Sequence, residues 1–177
     1  MKKSFVAVLF LLISASLGMG LQKPGEWIKY TSVEGRYSVL LPSQPSVGMQ
    51  ESATADGTKF PQYKAMVVEG SAVFLIGYFD YVPGTIFSFD KARDGMINAV
   101  KGTLLGESAI SLGGSPGREL KALTKDDEGT EYLLRARFYD IDKRVYVLQF
   151  IFPKSLDGDA MSAEGSRYFG SFQVVKN

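Results

Sequence analysis

Between Ala72 and Tyr81 the chain is apolar on both sides of an extended backbone. Val73, Leu75 and Phe79 fall on one face, and Phe74, Ile76 and Tyr78 on the other. A strand of this kind borders water on neither side, so it belongs in the middle of a sheet that is covered twice. A layered fold follows from that one segment.

The flanking segments alternate in the same two-residue period and are punctuated by turn formers. Strands are expected at Trp27 to Thr31, Gly35 to Leu41, Val47 to Ala53 and Lys59 to Val68, with Pro42 closing the second and Asp56-Gly57 turning the third into the fourth. Pro61 marks an edge or bulge in the fourth. Then the period changes. Phe89, Ala92, Met96, Val100 and Leu104 recur at spacings of three and four, which predicts an amphipathic helix over 89–104 with Gly106 as its stop. Four more strands are expected at Ser108 to Leu112, Arg118 to Leu123, Glu131 to Tyr139 and Arg144 to Phe152, joined by short turn-rich connections that make antiparallel neighbours. A second helix follows from Ala160 to Phe169. The fold class expected is α+β: a twisted, largely antiparallel sheet of about seven to eight strands with helices on both faces, an α/β/α sandwich.

The amino terminus reads as an export leader. Lys2 and Lys3 precede the apolar run Phe5 to Ile13, and the small residues Ser14 to Gly20 follow, with a cut expected before Leu21 or at an earlier site after Ser16. The domain expectation is a signal peptide over 1–20, a linker over 21–26 and one α+β domain over 27–177. An uncleaved N-terminal membrane anchor is the alternative. No cysteine follows the apolar run, so a lipid anchor of the usual bacterial kind has no attachment point, and no twin-arginine pair is present. Cleavage removes two lysines and takes the formal charge from +1 to −1. A near-neutral domain offers no electrostatic reason to bind nucleic acid.

The chain holds no histidine and no cysteine. The usual neutral-pH proton shuttle, the thiol nucleophile and the best zinc, copper and haem ligands are therefore missing, and no cofactor is expected. Gly113-Gly114-Ser115-Pro116-Gly117 matches a nucleophile elbow in letters. It sits between two expected strands, and Pro116 removes the N–H that would serve an oxyanion. Ser88-Phe89-Asp90-Lys91 matches S-x-x-K, but Ser88 or Asp90 serves more simply as a helix cap. Asp126-Asp127-Glu128 and Asp157-Gly158-Asp159 are acidic loops without the ligand pattern of a calcium hand. Arg118, Lys121, Arg135 and Arg137 could make a basic stripe across two strands, with Glu119 and Glu131 close in sequence. The loop after the doubly apolar strand is itself mostly apolar. Tyr81, Val82, Pro83, Ile86 and Phe87 form the candidate contact site, against the simpler reading that Ile86 and Phe87 tuck under the next helix.

Trp27 to Pro42, with its Glu34-Gly35-Arg36-Tyr37-Ser38-Val39 core, resembles the opening of a group of exported bacterial proteins of unassigned function. Leu112 to Glu119 resembles their mid-chain hairpin, and Tyr168-Phe169-Gly170-Ser171-Phe172 their closing helix and strand. More distantly, the layout is similar to the α/β/α sandwich of the photosystem II extrinsic subunit P family and the Ran-binding import factor family. That resemblance implies docking on other proteins and supplies no catalytic residues.

The leading expectation is an exported, non-enzymatic domain, periplasmic or extracellular, that binds an unidentified protein or envelope partner. The alternative is a small-ligand carrier with an apolar pocket between the sheet and helix 89–104. A third reading, a hydrolase using carboxylates or a Ser–Lys pair, finds no facing acidic pair to nominate.

Overall fold

A computed structural model of the chain describes residues 3–4, 26–54 and 57–175. Its strands are β1 (Ile28–Ser32), β2 (Tyr37–Leu41), β3 (Ser46–Ala53), β4 (Lys59–Glu69), β5 (Ala72–Asp80), β6 (Thr103–Leu112), β7 (Ser115–Lys125), β8 (Glu131–Ile141), β9 (Arg144–Pro153) and β10 (Gln173–Val174). Two helices interrupt them, α1 (Phe89–Ala99) and α2 (Asp159–Gly170). The expected leader over 1–20 and linker over 21–26 lie outside the described residues, apart from Lys3–Ser4 and Glu26. Lys3–Ser4 pair in parallel with Thr85–Ile86.

Seven strands form one antiparallel sheet in the order β3-β4-β5-β9-β8-β7-β6. The doubly apolar strand β5 is interior, as its composition requires. Leu75 and Phe79 enter the core beneath α1, and Phe74, Ile76 and Tyr78 enter the core on the opposite face. Burying each large apolar side chain contributes roughly 1.5–3 kcal/mol, so covering both faces is what makes this sheet stable. Pro61 sits where β4 outruns its neighbour, because the pairing of β4 with β5 starts only at Tyr63. The proline's missing N–H therefore costs no ladder bond.

The first two expected strands do not join this sheet. β2 pairs with both β1 and the short β10 in a separate three-stranded sheet, order β10-β2-β1, stacked beside α2 on the far face. Aromatic rings make that join: Tyr37 lies 6.2 Å from Tyr78 and Tyr146 and 6.0 Å from Phe172, and Trp27 lies edge-on to Phe74 at 5.3 Å. Ser171 Oγ accepts the Leu40 N–H at 2.8 Å, and the Tyr146 hydroxyl donates to the Gly35 carbonyl at 2.9 Å.

The first helix is shorter than its periodicity predicts. It ends at Ala99, and Leu104 belongs to β6, where it is partly exposed. Lys101 adopts φ +49 and Gly102 follows it. A Cβ on Gly102 would meet the Leu123 carbonyl oxygen at 2.9 Å, so the chain turns there through a gap only glycine fits. Among the described residues no helix is long and apolar enough to cross a membrane.

Candidate functional site

The loop singled out in the sequence divides into core and tip. Phe87 is buried between Phe79, at 6.3 Å, and Phe89, at 5.0 Å. The Tyr81 hydroxyl donates to Asp140 Oδ2 at 2.7 Å, and burial, then that bond, push the phenol well above its usual range. Val82 packs against the core, and its carbonyl accepts from the Thr85 hydroxyl at 2.6 Å and backbone N–H at 3.1 Å. Only Pro83 and Ile86 of the five face solvent. The expectation that Ile86 and Phe87 both tuck beneath the helix holds for Phe87 alone.

The other motifs resolve into structural parts. Gly113 and Gly114, at φ +57 and +85, make a two-residue hairpin between Leu112 and Ser115, so Ser115 lies at a strand start rather than on an elbow. Ser88 caps α1 by accepting the Lys91 N–H, and Asp90 sits in the first turn beside Arg93 and Arg118. Asp126 Oδ1 accepts the N–H groups of Glu128 (3.0 Å) and Thr130 (2.8 Å), closing its own loop. Asp157 pairs with Lys121 at 3.4 Å.

The basic stripe is split by the sheet. Arg118 lies on the α1 face with Asp90, Glu107 and the Phe89 ring. Arg135 and Arg137 lie on the α2 face, share Glu119 at 3.6 and 2.5 Å, and rest on the ring of Phe169. Alternation along β7 puts Arg118 opposite Glu119 and Lys121, which is why the four cations do not form one surface.

The apolar pocket expected between α1 and the sheet is filled by side chains. Ala92, Met96 and Val100 pack against Leu120, Ala122, Leu134 and Val147, all at most 6% exposed.

A different surface brings exposed apolar groups together. A cleft of about 550 Å³ runs between β1 and the β3–β4 edge, lined among others by Tyr30, Val47, Met49, Tyr63, Tyr78 and Arg144. Val47 and Met49 are 68% and 60% exposed, and Tyr63, paired with Met49 across the ladder, is 39% exposed. Behind them the rings form layers. Tyr63 stacks on Tyr78 at 4.9 Å and 17°, and the Arg144 guanidinium lies 4.6 Å from the Tyr78 ring centre. Arg144 is itself fixed by Asp80, at 2.6 and 2.8 Å, and by the Glu34 carbonyl at 2.7 Å. Burial raises the Tyr30 and Tyr78 phenols above their usual range, so both stay neutral donors at physiological pH.

Among the described residues, the cleft is walled by two end strands. β3 is the last strand of the large sheet and β1 the last of the small one. The alternation of Val47 and Met49 is visible in the sequence. Their exposure is not, because it depends on where the small sheet docks.

No protein-family profile matches this chain, and no curated protein matches it in sequence. Among solved structures, it is similar to the solution structure of cyanobacterial PsbP (CyanoP) from Synechocystis sp. PCC 6803, with a TM-score of 0.58 at 11% identity over 92% of this chain and 98% of that one. It is also similar to a Pseudomonas aeruginosa protein of unknown function, at TM-score 0.42 and 17% identity over 74% of this chain and 85% of that one. A Bacteroides thetaiotaomicron protein matches at TM-score 0.49 and 16% identity over 84% of this chain, which spans about half (48%) of that longer one. Identities this low show the fold alone, and the fold is PsbP-like.

Proposed function

We propose that this chain is an exported, non-enzymatic domain that docks a protein or envelope partner in the cleft between β1 and β3. The observation that carries this reading is the exposed set Val47, Met49 and Tyr63 beside two strands that, among the described residues, end their sheets. Exposed apolar groups gathered in one place mark contact surfaces. An open edge adds main-chain hydrogen bonds to an extended partner segment. The leader motif supports export, and the resemblance to the photosystem extrinsic subunits supports docking rather than turnover.

The test is a double substitution, Val47→Asp with Met49→Asp, in the chain produced in its own envelope. Both side chains point to solvent, so the melting temperature is expected to stay within a few degrees while the co-purifying partner is lost. Retention of the same partner by the double variant refutes the docking surface.

A further inference from the structure

A second cleft among the described residues lies at the other edge of the small sheet. It measures about 870 Å³ and is bounded by β10 on one side and by the tips of the β6–β7 and β8–β9 hairpins on the other. Its walls include the apolar side chains of Leu112, Ile141, Phe172 and Val174, with Ser115 at the rim. Arg36 projects into it.

The backbone of Arg36 is held in the left-handed region at φ +53, which few non-glycine residues adopt. Two backbone bonds fix it there. Its N–H donates to the Val33 carbonyl at 3.1 Å, and its carbonyl accepts the Val175 N–H at 2.9 Å. A residue held in a costly conformation by its surroundings is a reason to ask what its side chain does. Arg93, Arg118, Arg135, Arg137 and Arg144 are bound to carboxylates, and Arg167 lies over the Trp27 ring. No hydrogen bond or ion pair joins the Arg36 guanidinium to another described residue. Asp142, the other charged residue lining this cleft, forms no ion pair with it.

We propose that this cleft binds a carboxylate carried on an apolar chain, with Arg36 as the anion-binding group. A guanidinium offers two parallel N–H donors that match a carboxylate's two oxygens, which a point-charge ammonium does not. The apolar walls take the chain behind the carboxylate. A fatty acid and the free C-terminus of an apolar peptide share this chemistry. The site is separate from the docking cleft and does not depend on it.

The test titrates the purified full chain, by calorimetry or NMR, with decanoate and with an acetylated pentapeptide ending in Val-Val with a free carboxylate. Decanol and the C-terminally amidated peptide are the neutral controls. At least one acid is expected to bind, its neutral control about tenfold or more weaker, in line with the strength of a charged hydrogen bond. Binding of decanoate alone identifies a small amphipathic acid as the ligand, and binding of the peptide alone a chain terminus. Arg36→Gln is expected to lose about tenfold or more, with Arg36→Lys between the two. Asp142→Asn is expected to bind as tightly or more tightly, because it removes a like charge from the cleft. Should Arg36→Gln fail to fold, Asp142→Asn and the neutral controls still decide. Failure of both acids to bind at millimolar concentration overturns the proposal, as does equal binding by a neutral control or by folded Arg36→Gln.

Discussion

Arg144 reaches across from β9 to grip Asp80 on β5 with two prongs, Nε to Oδ1 at 2.6 Å and Nη2 to Oδ2 at 2.8 Å, while its flat face lies 4.6 Å from the Tyr78 ring centre. The pair is asymmetric. The Arg144 side chain is 10% exposed and that of Asp80 61%. Removing the arginine leaves a carboxylate that water can reach, but it also strips the Glu34 carbonyl of its donor and Tyr78 of its cover. Arg144→Ala is therefore expected to cost about 2 kcal/mol and Asp80→Asn under ~1 kcal/mol in urea unfolding. Equal costs would mean that the ion pair, rather than the arginine's packing, carries the effect.

Two glycines of α2 separate packing from helix propensity. A Cβ on Gly165 would meet Arg135 Nη1 at 2.8 Å and the Phe150 ring at 3.2 Å, whereas one on Gly170 meets nothing within 4 Å. Gly170→Ala is expected to stabilise by up to ~1 kcal/mol through propensity. Gly165→Ala gains the same propensity, but the Arg135 guanidinium must swing aside and the buried Phe150 ring must give by a few tenths of an ångström, with an expected net loss of about 1 kcal/mol. A Gly165→Ala protein more stable than wild type in thermal unfolding would show that α2 is not seated this tightly.

The loop over 81–87 gives a contrast between neighbours. Phe87→Ala is expected to cost about 3–5 kcal/mol as a core deletion. Ile86→Ser, at a position 47% exposed, is expected to stay within ~0.5 kcal/mol. Comparable destabilisation by the two would place Ile86 in the core.

Tyrosine ionisation reports the second core. Burial drives the phenols of Tyr37 and Tyr168 far above their ordinary value near 10. A native pKa above the unfolded one contributes stability that is complete below about pH 10 and is lost as pH rises through the native value. Absorbance at 295 nm during alkaline titration is expected to show these two of the nine tyrosines, together with Tyr81, which burial and its bond to Asp140 also raise, ionising only as the chain unfolds. Tyr168→Phe, which removes the bond to the Leu75 carbonyl (2.6 Å), is expected to lower stability by about 1 kcal/mol and the ionising count by one. Ionisation of all nine before unfolding would contradict the burial.

Local pattern carried most of the fold. The doubly apolar β5 announced an interior strand because each parity of its residues needs its own cover. The Gly113-Gly114 and Gly70 turns set antiparallel neighbours. Two features lay beyond local pattern. Leu104 continues the helical spacing of α1, and the contact of Gly102 with Leu123, far along the chain, overrules it. β1 and β2 have the alternation of any half-buried strand, and only the pairing of β2 with β10, across more than 130 residues, and of β1 with β2 puts them in a second sheet. The cleft inherits that difficulty. Tyr63, Val47 and Met49 are ordinary strand residues until the small sheet docks beside them.

Site-specific photo-cross-linking in the producing cell's envelope tests the docking surface most directly. A photoreactive residue at Met49 is compared with one at Leu105, which is 52% exposed on the opposite edge of the large sheet. The account predicts one discrete adduct from position 49, lost when Val47→Asp is added, and none from position 105. Equal adducts from both positions, or none from 49 with the protein folded and in place, would contradict it.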